Sequence, residues 1–296
     1  MRSVAPLTDK KIELLSEKAL LIRQSIIEML IEAKSGHTAG PLDMADVFSY
    51  LYFHALNYDA KKPDWTYRDR VILSNGHICP VLYATMGHAG YFPLSELKTL
   101  RKFGSRLQGH PHRDFLPALE TSSGPLGSGL SQAVGMALAE RIDFGKTSDK
   151  QFVCLTGDGE LDCGQIWEAA MLAGKEKLQN LTVFVDRNNI QIDGFTEDIM
   201  PLNPLADKWR SFGWHVQEID GHNFHALDGA WTQALSCFDR PSVIICYTIA
   251  SKGIPEFERM FEWHGKPPTT PQEIETARKA LHIVRTMGGK VKGEHE

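Results

Sequence analysis

Thr156 to Gly194 reads TGDGELDCGQIWEAAMLAGKEKLQNLTVFVDRNNIQIDG. The apolar run QFVCL leads into a Gly-Asp-Gly turn; a helix is predicted from about Gly164 through IWEAAMLAG, and LTVFV follows as a second strand. Two strands joined by one crossover helix pair in parallel. Asp158 and the amides of Asn188 and Asn189 therefore leave adjacent strands at the same edge of a sheet. Flanking glycines let the Asp158 carboxylate project while the backbone makes close approaches.

The same alternation extends outward. RVILS leads straight into NGH, and HVQEIDG and PSVIICYTIA are further short runs that end in small or polar residues. Helix-like material separates them. Near the start, Ile12, Leu15, Ala19, Ile22, Ile26, Met29 and Leu30 recur at helical spacing and predict a helix from about Thr8 to Ala33. SGHTAGPLD reads as a polar, Gly-rich corner after it, and MADVFSYLYFHAL as a second helix. The implied fold is α/β: a doubly wound, mainly parallel sheet with helices on both faces. One domain is predicted over 1–285, with a flexible tail over 286–296. In such folds ligands bind beyond the carboxyl ends of the strands.

Bulk properties limit the function classes. A hydrophobic content of 42% with 23% charged residues is that of an ordinary globular protein. The net charge of −5 gives no reason to expect a nucleic-acid partner, because binding a phosphate backbone normally needs a concentrated basic face. The five cysteines are odd in number and scattered, which argues against a disulfide framework or a zinc site. Cys154 and Cys246 fall inside apolar strands and read as small buried residues. MRSVAPLTDKKIELL lacks the apolar core of a signal peptide, and no run approaches membrane-spanning length. The reading is a reduced, cytoplasmic protein.

A carboxylate and an amide oxygen at one sheet edge are hard ligands suited to Mg²⁺ or Ca²⁺. Glycine N–H groups at a strand-to-helix turn suit phosphate. Twenty-eight residues separate Gly159 from Asn188, the length of one helix plus one strand. At this point the sequence resembles the thiamin-diphosphate enzymes, whose diphosphate motif is Gly-Asp-Gly, a spacer of this size, then Asn. The resemblance implies that Asp158, Asn188 and the Ile190 carbonyl bind Mg²⁺, with Ca²⁺ or Mn²⁺ able to substitute. It also implies cofactor contacts from Gly157, Asp158, Gly159 and Glu160.

Further segments resemble transketolases, from about Lys18 to about Pro268: KSGHTAGPLDMAD, LSNGH, QGHP, SSGPLGSGLSQAVGMALAE and EWHGKPP. By that resemblance His77 and His264 lie by the diphosphate and the reacting ring, His37 and His110 face sugar hydroxyls, and Gly124 and Leu126 touch the cofactor through main-chain atoms. Imidazoles there could bind hydroxyls and move protons near neutral pH. His54, His88, His112, His215, His222, His225, His282 and His295 match no such loop and read as surface or structural.

A complete transketolase also needs a domain that holds the aminopyrimidine, and 296 residues accommodate only the diphosphate domain. The resemblance therefore implies the N-terminal subunit of a split transketolase, joined by a separate pyrimidine-domain subunit in an α2β2 heterotetramer and acting on sugar phosphates. It departs from the family at Cys163, where a glutamate of an acidic network between active sites usually stands; Glu168 matches a second member of that network. The alternatives are a subunit resembling deoxyxylulose-phosphate synthase or a 2-oxoacid dehydrogenase, and a non-catalytic cofactor-binding subunit.

Overall fold

A computed structural model describes residues 5–145, 148–285 and 291–292. Helix α1 (Asp9–Ala33) opens the chain, followed by α2 (Ala39–Asp43) and α3 (Ala45–Tyr50), which runs on as a π-helical turn, Leu51–Ala55. Strand β1 (Arg70–Leu73) precedes α4 (Cys79–Ala89) and α5 (Ser128–Phe144). Next come β2 (Phe152–Gly157), α6 (Gly164–Glu176) and β3 (Leu181–Arg187). The two-residue strands β4 (Ile190–Gln191) and β5 (Gly194–Phe195) lead to α7 (Thr196–Ile199) and α8 (Leu205–Ser211). The remainder is β6 (His215–Asp220), α9 (Phe224–Leu235), β7 (Ser242–Tyr247), α10 (Pro271–Ala280), and a short ribbon of β8 (Val284–Arg285) with β9 (Val291–Lys292). Apart from that second ribbon strand, the predicted tail lies outside the described residues.

The main sheet has the order β1-β2-β3-β7-β6, and every pairing in it is parallel. Alternation along the central strands assigns side chains to two cores. Val153, Leu155, Phe184, Ile244 and Cys246 pack toward α1, α3, α4 and α9. Cys154, Val183, Val185, Val243 and Ile245 pack toward α5, α6 and α8. Phe184 is fully buried against Trp231 of α9, with ring centroids 6.2 Å apart. Truncating such a ring to alanine costs about 3–5 kcal/mol. Both faces are thus covered, as the sequence predicts. Cys154 and Cys246 are buried, as their strand positions predict.

The first helix has the predicted bounds. The Thr8 hydroxyl caps it by accepting from Lys11 N, and Lys34 closes it in the left-handed conformation. The stretch SGHTAGPLD differs from the predicted corner, since Ala39–Asp43 is a helical turn with all five residues buried. Pro41 is tolerated because first-turn N–H groups have no intrahelical acceptor. Among the described residues no helix is long and apolar enough to cross a membrane.

Helices α4 and α6, which follow β1 and β2, belong to opposite faces. Their divergence opens a crevice beyond the ends of these neighbouring strands.

Candidate active site

The register pairs Gly157 with Asp186, and Asp158 N donates to the Asp186 carbonyl at 3.0 Å. The Gly-Asp-Gly turn and the Asn-Asn corner are therefore side by side. Between them lies a cleft of about 320 Å³. His37, His77, His110, His264, Gly124, Leu126, Gly157, Asp158, Gly159, Glu160, Asn188 and Ile190 all line it. Every residue predicted for cofactor, metal or catalysis thus reaches one site. Cys163 and Glu168 lie elsewhere, at and just inside the start of α6.

Asp158 is 2% exposed. Its Oδ2 accepts from Arg187 Nη1 at 3.1 Å, Asn189 N at 2.8 Å and Thr196 Oγ1 at 3.3 Å. Its Oδ1 accepts from Gly159 N at 2.8 Å. Burial pushes this carboxyl up to about 6, against the pull of Arg187 and the backbone donors. Asn189 reaches its position through a left-handed φ of 65°, a conformation that asparagine tolerates better than most residues.

Asn188 donates through Nδ2 to Asp43 Oδ2 at 3.0 Å and to Asp186 Oδ2 at 3.1 Å, while its Oδ1 accepts from Ile190 N at 3.1 Å. Thr248 Oγ1 donates to Asp186 Oδ1 at 2.6 Å. Burial, and then the charge of Asp186, hold Asp43 well above the ordinary carboxyl range. Burial likewise pushes Asp186 up, to about 7.

Glu160 joins three segments. Its carboxylate accepts from Ser74 Oγ at 2.5 Å, Gly127 N at 2.6 Å and Gly157 N at 3.1 Å. The N–H groups of Gly157 and Gly159 are thus both engaged inside the protein, rather than pointing unpaired at a phosphate as the sequence suggests. At Gly159 an added Cβ would come within 3.3 Å of the Gln191 side chain, so the turn passes close to the corner that follows β3.

Three imidazoles form the wall. Ring centroids are 4.8 Å apart for His37 and His77, 5.4 Å for His77 and His264, and 5.5 Å for His37 and His264. Burial, and then the neighbouring His264, push His37 down to about 4. Burial likewise lowers His77, His264 and His110. Neutral rings result, each able to donate from one nitrogen and accept at the other. Nδ1 of His37 and of His264 are buried without a protein partner.

The histidines left unassigned by the sequence serve the scaffold where contacts define them. His88 bonds Ser25, His54 bonds Asp228, and His222 bridges Asp46 and Ile249 N. His295 lies outside the described residues. Sequence reasoning missed Asp43, Asp186 and Arg187. A charged pair, Asp186-Arg187, inside an otherwise apolar strand was the available signal, because buried charge demands partners.

Residues 16–287 match the family described as transketolase, thiamine diphosphate binding domain, and the chain belongs to it. It is 44% identical over 239 residues to the 6-deoxy-6-sulfo-D-fructose transketolase subunit SqwG of Clostridium sp. (strain MSTE9), covering 81% of this chain and 86% of that one. It is 38% identical over 276 residues to an apulose-4-phosphate transketolase subunit of Phocaeicola vulgatus, covering 93% and 96%. The solved transketolase from Campylobacter jejuni superposes with a TM-score of 0.84 at 34% identity; the match covers 91% of this chain but only 43% of that structure.

Proposed function

We propose that this chain is the diphosphate-domain subunit of a split transketolase, moving a two-carbon ketol unit from a ketose phosphate to an aldose phosphate. The observation that carries the reading is the convergence of Asp158, Asn188 and four histidines on one cleft. A second chain carrying the pyrimidine-binding domain completes the site, and the assembly is an α2β2 heterotetramer. In support, the relatives that this chain spans almost whole are themselves named as subunits.

The cleft fits a metal-bridged diphosphate. Asp158 Oδ1 accepts from Gly159 N and Asn188 Oδ1 from Ile190 N, which leaves each oxygen lone-pair capacity toward a cation. With the Ile190 carbonyl they would hold Mg²⁺, for which Ca²⁺ or Mn²⁺ could substitute, and phosphate oxygens and water would fill the remaining positions. The partnerless Nδ1 atoms of His37 and His264 offer hydrogen bonds to a ligand.

Bound thiamine diphosphate supplies the electron sink for cleaving and forming the carbon–carbon bond. The chain's own residues orient and move protons. When the cofactor is bound, His77 and His264 would lie toward the diphosphate and the reacting centre, while His37 and His110 would take sugar hydroxyls. Because burial keeps these rings neutral, a ring can accept a hydroxyl proton and return it within one cycle.

Cys163 stands at the N-cap of α6, and Glu168 lies on the exposed side of that helix. Burial, with Glu160 and Asp162 adding to it, raises the Cys163 thiol, so it remains protonated. We assign it as an interruption of the acidic link between sites. Cys163→Glu should change cofactor affinity or cooperativity in the complex; identical kinetics would make the difference incidental.

The chain should show no ketol transfer alone and should gain it when the pyrimidine-domain partner is added with thiamine diphosphate and Mg²⁺. Turnover without a partner would overturn the split-enzyme reading. Asp158→Ala in the complex should abolish Mg²⁺-dependent cofactor binding, and unchanged affinity would remove the metal assignment. A panel of ketose phosphates that includes xylulose phosphate would identify the donor.

A further inference from the structure

The Asn188 carboxamide can be inserted in two ways that differ by a half-turn. Only one of them turns its oxygen away from the carboxyl pair. Nδ2 donates to both members of that pair, to Asp43 Oδ2 at 3.0 Å and to Asp186 Oδ2 at 3.1 Å. A half-turn would press the amide oxygen against two carboxyl oxygens and leave the NH2 against the Ile190 N–H.

Asp186 is fixed independently, by its strand and by Thr248. Asp43 arrives from another part of the chain, at the end of the fully buried turn α2, six residues after His37. There Gly40 lies so close to Ile78 that an added Cβ would come within 2.6 Å of it. Asp43 is 0% exposed, and its Oδ1 is buried without a partner. A half-satisfied buried carboxyl is costly to keep for packing alone.

We infer that Asp43 is a positioning residue that locks the Asn188 carboxamide with its oxygen turned to the cation. The inference rests on the proposed role of Asn188 as a metal ligand. It gives the segment that carries His37 a second task, in orienting a ligand it does not itself supply.

The test compares Asp43→Ala and Asp43→Asn in the full-length chain, with circular dichroism confirming the fold and Asp43→Ser replacing the alanine variant should it not fold. Hydrogen exchange of the Asn188 side-chain amide, followed by NMR, reads the orientation directly. Exchange should quicken about tenfold or more in Asp43→Ala, for loss of a buried hydrogen bond, and stay slow in Asp43→Asn, whose oxygen can still accept. Unchanged exchange in the alanine variant overturns the inference.

Mn²⁺ binding with thiamine diphosphate, followed by electron paramagnetic resonance in the assembled complex, should weaken about tenfold in Asp43→Ala and recover in Asp43→Asn. Equal loss in both variants, or none in either, overturns the positioning role. Absence of Mn²⁺ binding in the unaltered complex overturns the ligand reading of Asn188, while the exchange measurement still decides the orientation.

Discussion

Thr38 donates its hydroxyl to the Lys266 carbonyl at 2.6 Å, and this bond joins segments 228 residues apart. One segment carries His37 and the other His264, whose rings are 5.5 Å apart. Thr38→Val keeps the shape and deletes the bond at a fully buried position. We predict a loss of about 1 kcal/mol in urea unfolding, together with weaker cofactor retention in the complex. Full retention would show that packing alone holds the two loops.

Glu160 joins the end of β1, the approach to α5 and the end of β2 through Ser74, Gly127 and Gly157. All three partners donate. Glu160→Gln turns one acceptor atom into a competing donor, so destabilisation of about 2–3 kcal/mol should appear in the denaturation midpoint. An unchanged midpoint would mean that the backbone N–H groups find other acceptors.

His88 lies away from the cleft, bonded to Ser25 Oγ at 2.9 Å, and burial pushes it down to about 4. Its folded value lies below its unfolded value of about 6.5. Above pH 6.5 it is neutral in both states, and its contribution to stability is full. As the pH falls from 6.5 toward 4, the unfolded chain takes up a proton that the folded chain refuses, and stability drops. Comparing the unaltered chain with His88→Gln should reveal an extra slope of at most about 1.4 kcal/mol per pH unit in that window. Parallel profiles would refute it.

Gly174, in α6, backs onto the Phe212 carbonyl; a Cβ there would fall 1.8 Å from that oxygen. Alanine normally favours a helix, yet here it must push α6 away from the chain after α8. Gly174→Ala should lose about 1–3 kcal/mol or more, read from a thermal melt. A gain in stability would mean that this contact yields freely.

Much of the fold was legible because periodicity reports burial directly. Val153 and Leu155 face one core and Cys154 the other, and a pattern of period two is visible in the letters. The cleft was legible because Asp158 and Asn188 stand at the ends of two such strands. Asp43 was not, since its partners come from β3 and the corner after it, and nothing local marks a carboxyl for burial. The helical turn at 39–43 was missed for a related reason: its glycine and proline argue locally for a corner, and tertiary packing overrides them. The engaged N–H groups of Gly157 and Gly159 escaped notice because their acceptors, Glu160 and Asp158, look from the sequence like ligands rather than anchors.

Strands β2 and β3 lie inside the sheet, each paired on both sides, and β3 is buried along its whole length. Asp158 and Asn188 stand at their ends, whereas His110, Gly124 and Leu126 sit on connecting segments outside the regular helices and strands. Amide protons of the two strands should therefore exchange only through global unfolding, and those around residues 108–126 through local opening. A ligand would meet a floor that is stiff before it arrives and a rim that can still adjust around it. The cation position would be inherited from the sheet, and accommodation of different sugars left to the rim.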